Sequence, residues 1–141
     1  MRKIILFIGV IALLYLGGVF FRAQQWESET EDFLEEALID IAQPWSTERL
    51  ESRASLWFRE KSRLRPLEIV NLVNQDFGNL VEITGKPECN IQQGFDAYSK
   101  TKNTYAVCVA NIRMERKKVV MEIRLIHESG GWKINDFISI K

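Results

Sequence analysis

The sequence predicts an α+β domain carried on one membrane-spanning helix, and three observations predict it. Residues 4–21 form an unbroken apolar run with Arg2 and Lys3 before it and Arg22 after it. From Glu27 to Phe77 apolar residues recur three and four apart, the period of helices; from Leu80 onward they alternate, the period of strands. The 120 residues after the apolar run are enough for one compact core and too few for two.

At 1.5 Å per residue, residues 4–21 span about 27 Å as a helix, close to the ~30 Å hydrocarbon core of a bilayer. Basic residues stay on the cytoplasmic side, and Arg2 and Lys3 outweigh Arg22, which precedes Glu27, Glu29, Glu31, Asp32, Glu35 and Glu36. The expected layout is a cytoplasmic stub at 1–3, a transmembrane anchor in the lipid bilayer at 4–21, a linker at 22–27 and an exported domain at 28–141. A cleaved signal peptide is the alternative and would leave a soluble domain. Leu16-Gly17-Gly18 is a mediocre cleavage site, and cutting after Ala23 puts Phe21 and Arg22 just upstream, so the uncleaved anchor leads.

Ser28 or Thr30 is expected to cap a helix running to about Ala42, with Phe33, Leu34, Ala37, Leu38 and Ile41 on its buried stripe. Pro44 ends it. Ser46 or Thr47 caps a second helix in which Leu50, Ala54, Trp57 and Phe58 share a face. Pro66 suits the first turn of a third, with Leu67, Val70, Val73 and Phe77 inward and Gly78 as its stop.

Four strands are expected at Leu80–Ile91, Thr104–Glu115, Val119–Glu128 and Trp132–Ile140, joined as hairpins. Centring the second hairpin on Arg116-Lys117 pairs Met114 with Val119, Ile112 with Met121, Ala110 with Ile123 and Cys108 with Leu125. Slipping by one residue would put Glu122 and Arg124 on the apolar face. Ser129-Gly130 is a good two-residue turn, placing Trp132 opposite His127 and Ile134 opposite Leu125. Alternation falters at Asn135-Asp136-Phe137, and a bulge there would return Phe137 to the buried face.

Centring the first hairpin between Tyr98 and Ser99 puts Cys89 opposite Cys108, at a Cα separation of roughly 4.5–5.5 Å that a disulfide accepts. Both destinations of the domain are oxidising. A Cys89–Cys108 bridge is expected over two buried free thiols.

Outside Arg2, Lys3 and Arg22 the chain keeps 16 of its 19 basic residues against 19 acidic ones, a net charge of −3 that disfavours nucleic acid. The stretch bearing Arg59, Lys61, Arg63 and Arg65 reads as a solvated helical face, with docking on anionic lipid or an acidic partner as the sharper alternative. One histidine and two oxidised cysteines do not make a metal site, and no phosphate-cradling glycine motif, serine-nucleophile motif or cofactor is indicated.

Three helices, an antiparallel meander and the closing Gly130-Gly131-Trp132-Lys133-Ile134-Asn135-Asp136-Phe137 resemble the NTF2-like superfamily of cone-shaped α+β domains, including exported bacterial members. The resemblance covers roughly Glu27 to Lys141. It implies three helices on a curved four-stranded sheet, a pocket between them, and location in the periplasm on the bacterial inner membrane. It also implies a pocket lining of Ile83, Ala110, Ile112, Met121, Ile123, Leu125 and Trp132, almost wholly apolar where the family's enzymes place an Asp, His or Tyr. His127, Asp136 and Tyr105 are the weak catalytic candidates. Their ordinary readings are an imidazole stacked on Trp132, a bulge residue and a strand tyrosine. The leading expectation is therefore a non-catalytic envelope module binding a protein partner or a small apolar ligand, in one variant as a secretion-assembly subunit. The alternative is a small isomerase or hydrolase of an apolar substrate. A homodimer through the sheet's outer face fits the family, although that face is mixed.

Overall fold

A computed structural model describes residues 2–96 and 100–141 of the chain. Helices α1 (Arg2–Ala42), α2 (Thr47–Arg53), α3 (Leu56–Glu60) and α4 (Pro66–Phe77) precede strands β1 (Leu80–Ile83), β2 (Glu88–Asp96), β3 (Thr101–Met114), β4 (Lys118–Glu128) and β5 (Gly131–Ile140). The class is α+β, as expected, with five antiparallel strands in place of four.

The largest correction concerns the helix start expected at Ser28 or Thr30. α1 is continuous from Arg2 to Ala42, so residues 22–27 are helical. Arg22 to Glu29 contains no glycine or proline and is rich in Ala, Gln and Glu, so nothing local stops the helix. Thr30 caps nothing: it is wholly buried, and its hydroxyl is shared between the carbonyls of Trp26 and Glu27 at 2.9 and 2.8 Å. That is the back-bonding a mid-helix threonine makes.

The second expected helix breaks at Ala54-Ser55. Ala54 forms a parallel bridge to Ile134, and the Ser55 amide donates to the Ile134 carbonyl at 2.8 Å. The Ser55 hydroxyl donates to Asn135 Oδ1 at 2.8 Å and accepts from the Phe58 amide at 3.1 Å, capping α3. Two strand-like residues thus pin the helical layer to β5, while Phe58 is buried with its ring 6.0 Å from that of Phe137. In α4 the buried face is Ile69, Val70 and Val73; Leu67, expected inward, is exposed. Pro66 opens α4 and Gly78 closes it at φ +78°, as expected. The Arg116 guanidinium donates to the carbonyls of Asn74 and Gln75, placing positive charge at the helix's negative end.

The sheet runs β1–β3–β4–β5, with β2 also on β3. The fifth strand arises because the expected Leu80–Ile91 divides around Gly85, which has φ +75°. β1 pairs with the far end of β3, and β2 with the rest. A register shift between Leu80 and Glu82 leaves Val81 exposed while Leu80 is buried. In the β4–β5 hairpin His127 opposes Trp132 and Leu125 opposes Ile134, as expected; the shift after Ile134 brings Phe137 back to the buried face.

The β3–β4 register differs from expectation by two residues: Ile112 meets Val119, Ala110 meets Met121, and Cys108 meets Ile123. An even slip preserves every side chain's face, so alternation could not detect it. The deciding contacts are remote. The amides of Glu115 and Arg116 donate to the carbonyls of Asn79 and Phe77, and this fixes where β3 must end.

Candidate functional site

Cys89 and Cys108 pair in register across β2 and β3 and are joined by a disulfide, as expected. The proposed turn centre at Tyr98 and Ser99 lies outside the described residues. Cys108 belongs to the core, Cys89 to its margin.

The residues assigned to a ligand pocket form part of that same core. Ala110, Met121, Ile123 and Leu125 have zero exposure, Ile112 and Trp132 are buried, and half-buried Ile83 packs at the edge. A side chain with no accessible surface cannot be touched even by a water-sized sphere. The space between sheet and helices is occupied by side chains such as Leu34, Leu38, Ile41, Leu50 and Phe58.

His127 lies in an aromatic cluster. Trp26, on α1, stacks on it with ring centroids 5.6 Å apart and planes at 15°, and Trp132 meets it edge-on at 5.1 Å. Trp132 Nε1 is buried and has no hydrogen-bond partner. The cluster joins α1 to the β4–β5 hairpin and brings no second titratable side chain into ring contact with the imidazole. Asp136 sits in the β5 irregularity opposite Arg124. Burial pushes its carboxyl above the ordinary range, against the opposing pulls of Arg124 and the Phe137 amide.

Tyr105 lines an open groove. A cavity of about 330 Å³, open to solvent, is lined by Trp57, Gln92, Gln93, Gly94, Phe95, Tyr105, Arg124 and Asn135. Each comes from a separate structural cause. Trp57 is carried on α3 by the Ser55 cap, and Gln92 and Tyr105 are cross-strand partners. Alternation sends Arg124 away from the face of Ile123 and Leu125, and Asn135 is the bulge residue that accepts from Ser55. Trp57, Arg124 and Asn135 went unrecognised as site residues in the sequence. The break of the second helix and the bulge bring them to one opening, and only the bulge had a local signal.

This lining offers one guanidinium, three side-chain amides and three aromatic rings, with no carboxylate or imidazole. Such a surface can stack and donate hydrogen bonds. It supplies no acid–base pair. Among the described residues no group of three or more His, Cys, Asp and Glu could hold a metal.

Compared with known proteins, the chain matches no family model, no curated protein and no solved structure. The class the fold and sequence define is thus an α+β domain with one N-terminal helix long and apolar enough to cross a membrane, as an anchor or a signal sequence. A disulfide fits an oxidising compartment.

Proposed function

We propose that this chain is a membrane-anchored, non-catalytic binding module of NTF2-like type, its domain held in the bacterial periplasm and engaging a protein partner through the Trp57–Tyr105–Arg124 groove. One observation carries the choice: the apolar inner face is filled to zero exposure while the polar, aromatic-rimmed groove stays open. That weighs toward a partner's polar segment and against a small apolar ligand. Tryptophan, tyrosine and arginine are also the side chains that dominate protein interfaces. Support for the outward topology comes from Arg2 and Lys3 before the apolar run and from the disulfide. Support for the NTF2-like reading comes from helices packed on a bulged antiparallel sheet whose last strand opens with a glycine turn and Trp132.

A hydrolase or isomerase finds less support, since neither His127 nor Asp136 lines this groove. The test is photo-crosslinking in cells from a benzoyl-phenylalanine at Trp57, with Val120 as the control position. A discrete protein adduct at 57 that disappears in Arg124→Glu is expected. Equal adduct patterns at 57 and 120 would sink the proposal.

A further inference from the structure

The register of the sheet gives the domain a second point of approach to the bilayer. Trp26 stacks on His127, so this end of the sheet lies beside the helix just beyond the apolar run. From there α1 runs toward Ala42, near which the Trp45 indole donates to the Gly78 carbonyl, next to the pairing of Leu80 with Met114. Helix α1 and strand β3 therefore ascend together. Moving back from Trp26 to Phe21 corresponds to moving back down β3.

His127 lies one residue beyond the Tyr105–Ile126 pair, level with Thr104. The β2–β3 hairpin continues past that level to Phe95 opposite Lys102 and Asp96 opposite Thr101. Two strand residues below Thr104 is a descent of about 7 Å. Five helical residues from Trp26 to Phe21 make about 7.5 Å. The Phe95–Lys102 pair thus arrives at the height where the apolar run ends and Arg22 begins. Phe95 is 70% exposed, an unusual state for a phenylalanine, and Lys100 and Lys102 are exposed beside it. Asp96 is the one acid between Phe95 and Lys102 and Glu128 ends the neighbouring strand, so basic groups still prevail once Arg22 is included.

We infer that Phe95, Lys100 and Lys102 form a second membrane contact, with the ring entering the headgroup–acyl boundary and the ammonium groups on lipid phosphates of the bilayer that α1 spans. An exposed ring flanked by lysines is the composition of interfacial contacts. The inference rests on the proposed anchor. With two fixed points, the groove would be held at a set angle to the membrane.

The full chain, reconstituted into 3:1 phosphatidylethanolamine–phosphatidylglycerol vesicles, would carry benzoyl-phenylalanine at Phe95 or, as a control, at Val120. Val120 pairs with Lys141 at the opposite end of the sheet. Illumination is expected to give phospholipid adducts at 95 and not at 120, with yield falling about fivefold for each of Lys100→Glu and Lys102→Glu. An intact Cys89–Cys108 bridge, read from non-reducing mobility, reports that each variant has folded. Carbonate-resistant chain giving no lipid adduct at 95, or equal adducts at both positions, would overturn the second contact and leave the anchor standing. Release of the chain by carbonate would overturn both.

Discussion

The two halves of α1 share one unbroken backbone and meet opposite fates. From Ile5 to Gln25 every side chain is exposed, including Ile5, Leu13 and Phe20; from Leu34 to Ala42 the helix buries Leu34, Ala37, Leu38, Ile41 and Ala42 completely. The first half is apolar all round, which suits a lipid solvent, and the second carries an apolar stripe, which suits a sheet. On the proposed anchoring, one helix serves two solvents, and its continuity would make the anchor an extension of the core.

Truncation should break this symmetry most strongly. Leu38→Ala removes a wholly enclosed side chain facing the sheet and should cost about 2–5 kcal/mol of unfolding free energy, the range for leucine-to-alanine cavities. Leu13→Ala, in the exposed half, should leave the domain's unfolding unchanged. Denaturation of the chain in detergent micelles, followed by tryptophan fluorescence, checks the pair. Equal losses would mean that the two halves are not energetically separate.

Removing the cross-link comes next. Cys89 and Cys108 are 19 residues apart, and the joint Cys89→Ser, Cys108→Ser replacement should cost about 3 kcal/mol on the chain-entropy account. The same denaturation measures it. The loss should fall on the domain, because the bridge ties β2 to β3 within it.

The comparison also explains what was legible. Helix period and strand alternation are local, so the apolar run, the α4 bounds, the Cys89–Cys108 pairing and the Asn135 bulge could be read directly. The two-residue turn expected at Ser129-Gly130 is present, with both residues at positive φ, 52° and 77°. Features decided across the fold could not be read. The β3–β4 slip depends on the Phe77 and Asn79 carbonyls, and the helix break on Ile134 and Asn135. The groove inherits that difficulty, because Trp57 reaches it through the break and Asn135 through the bulge. The missed continuity of α1 has another source: Ser28 and Thr30 are good cap residues, and a cap signal inside an uninterrupted helical composition is ambiguous.

Gln24→Pro would test continuity itself. Gln24 lies at the end of the exposed half, two residues before Trp26, and proline there should disrupt the helix at a cost of about 3 kcal/mol to the local turn. Domain unfolding should move by less than about 0.5 kcal/mol, since the core begins beyond Trp26. What should disappear is the fixed spacing between bilayer and sheet, read as a broader distance distribution between a spin label on Val120 and a labelled lipid headgroup. An unchanged distribution would mean that rigidity comes from somewhere other than the helix.

The smallest effect belongs to Asp136, in the β5 irregularity. Its carboxyl is half-buried opposite Arg124, and burial holds it above the 3.8 of an unburied aspartate. The folded chain therefore keeps this proton more tightly than the unfolded chain does. Stability falls as pH rises from 3.8 through the raised folded value, and the full cost of burying the charge is present at neutral pH. Asp136→Asn removes that cost and loses the attraction to Arg124, which acts in the opposite sense, so the variant should be slightly more stable at pH 7. The difference between the two proteins should shrink as pH is lowered toward 3.8, because the folded aspartate takes up its proton over this range and the charge burial that the asparagine avoids is lost. Parallel denaturation series of the two proteins from pH 7 to pH 4 isolate this group from the other carboxylates. A difference that grows on acidification would show that the Arg124 attraction outweighs burial.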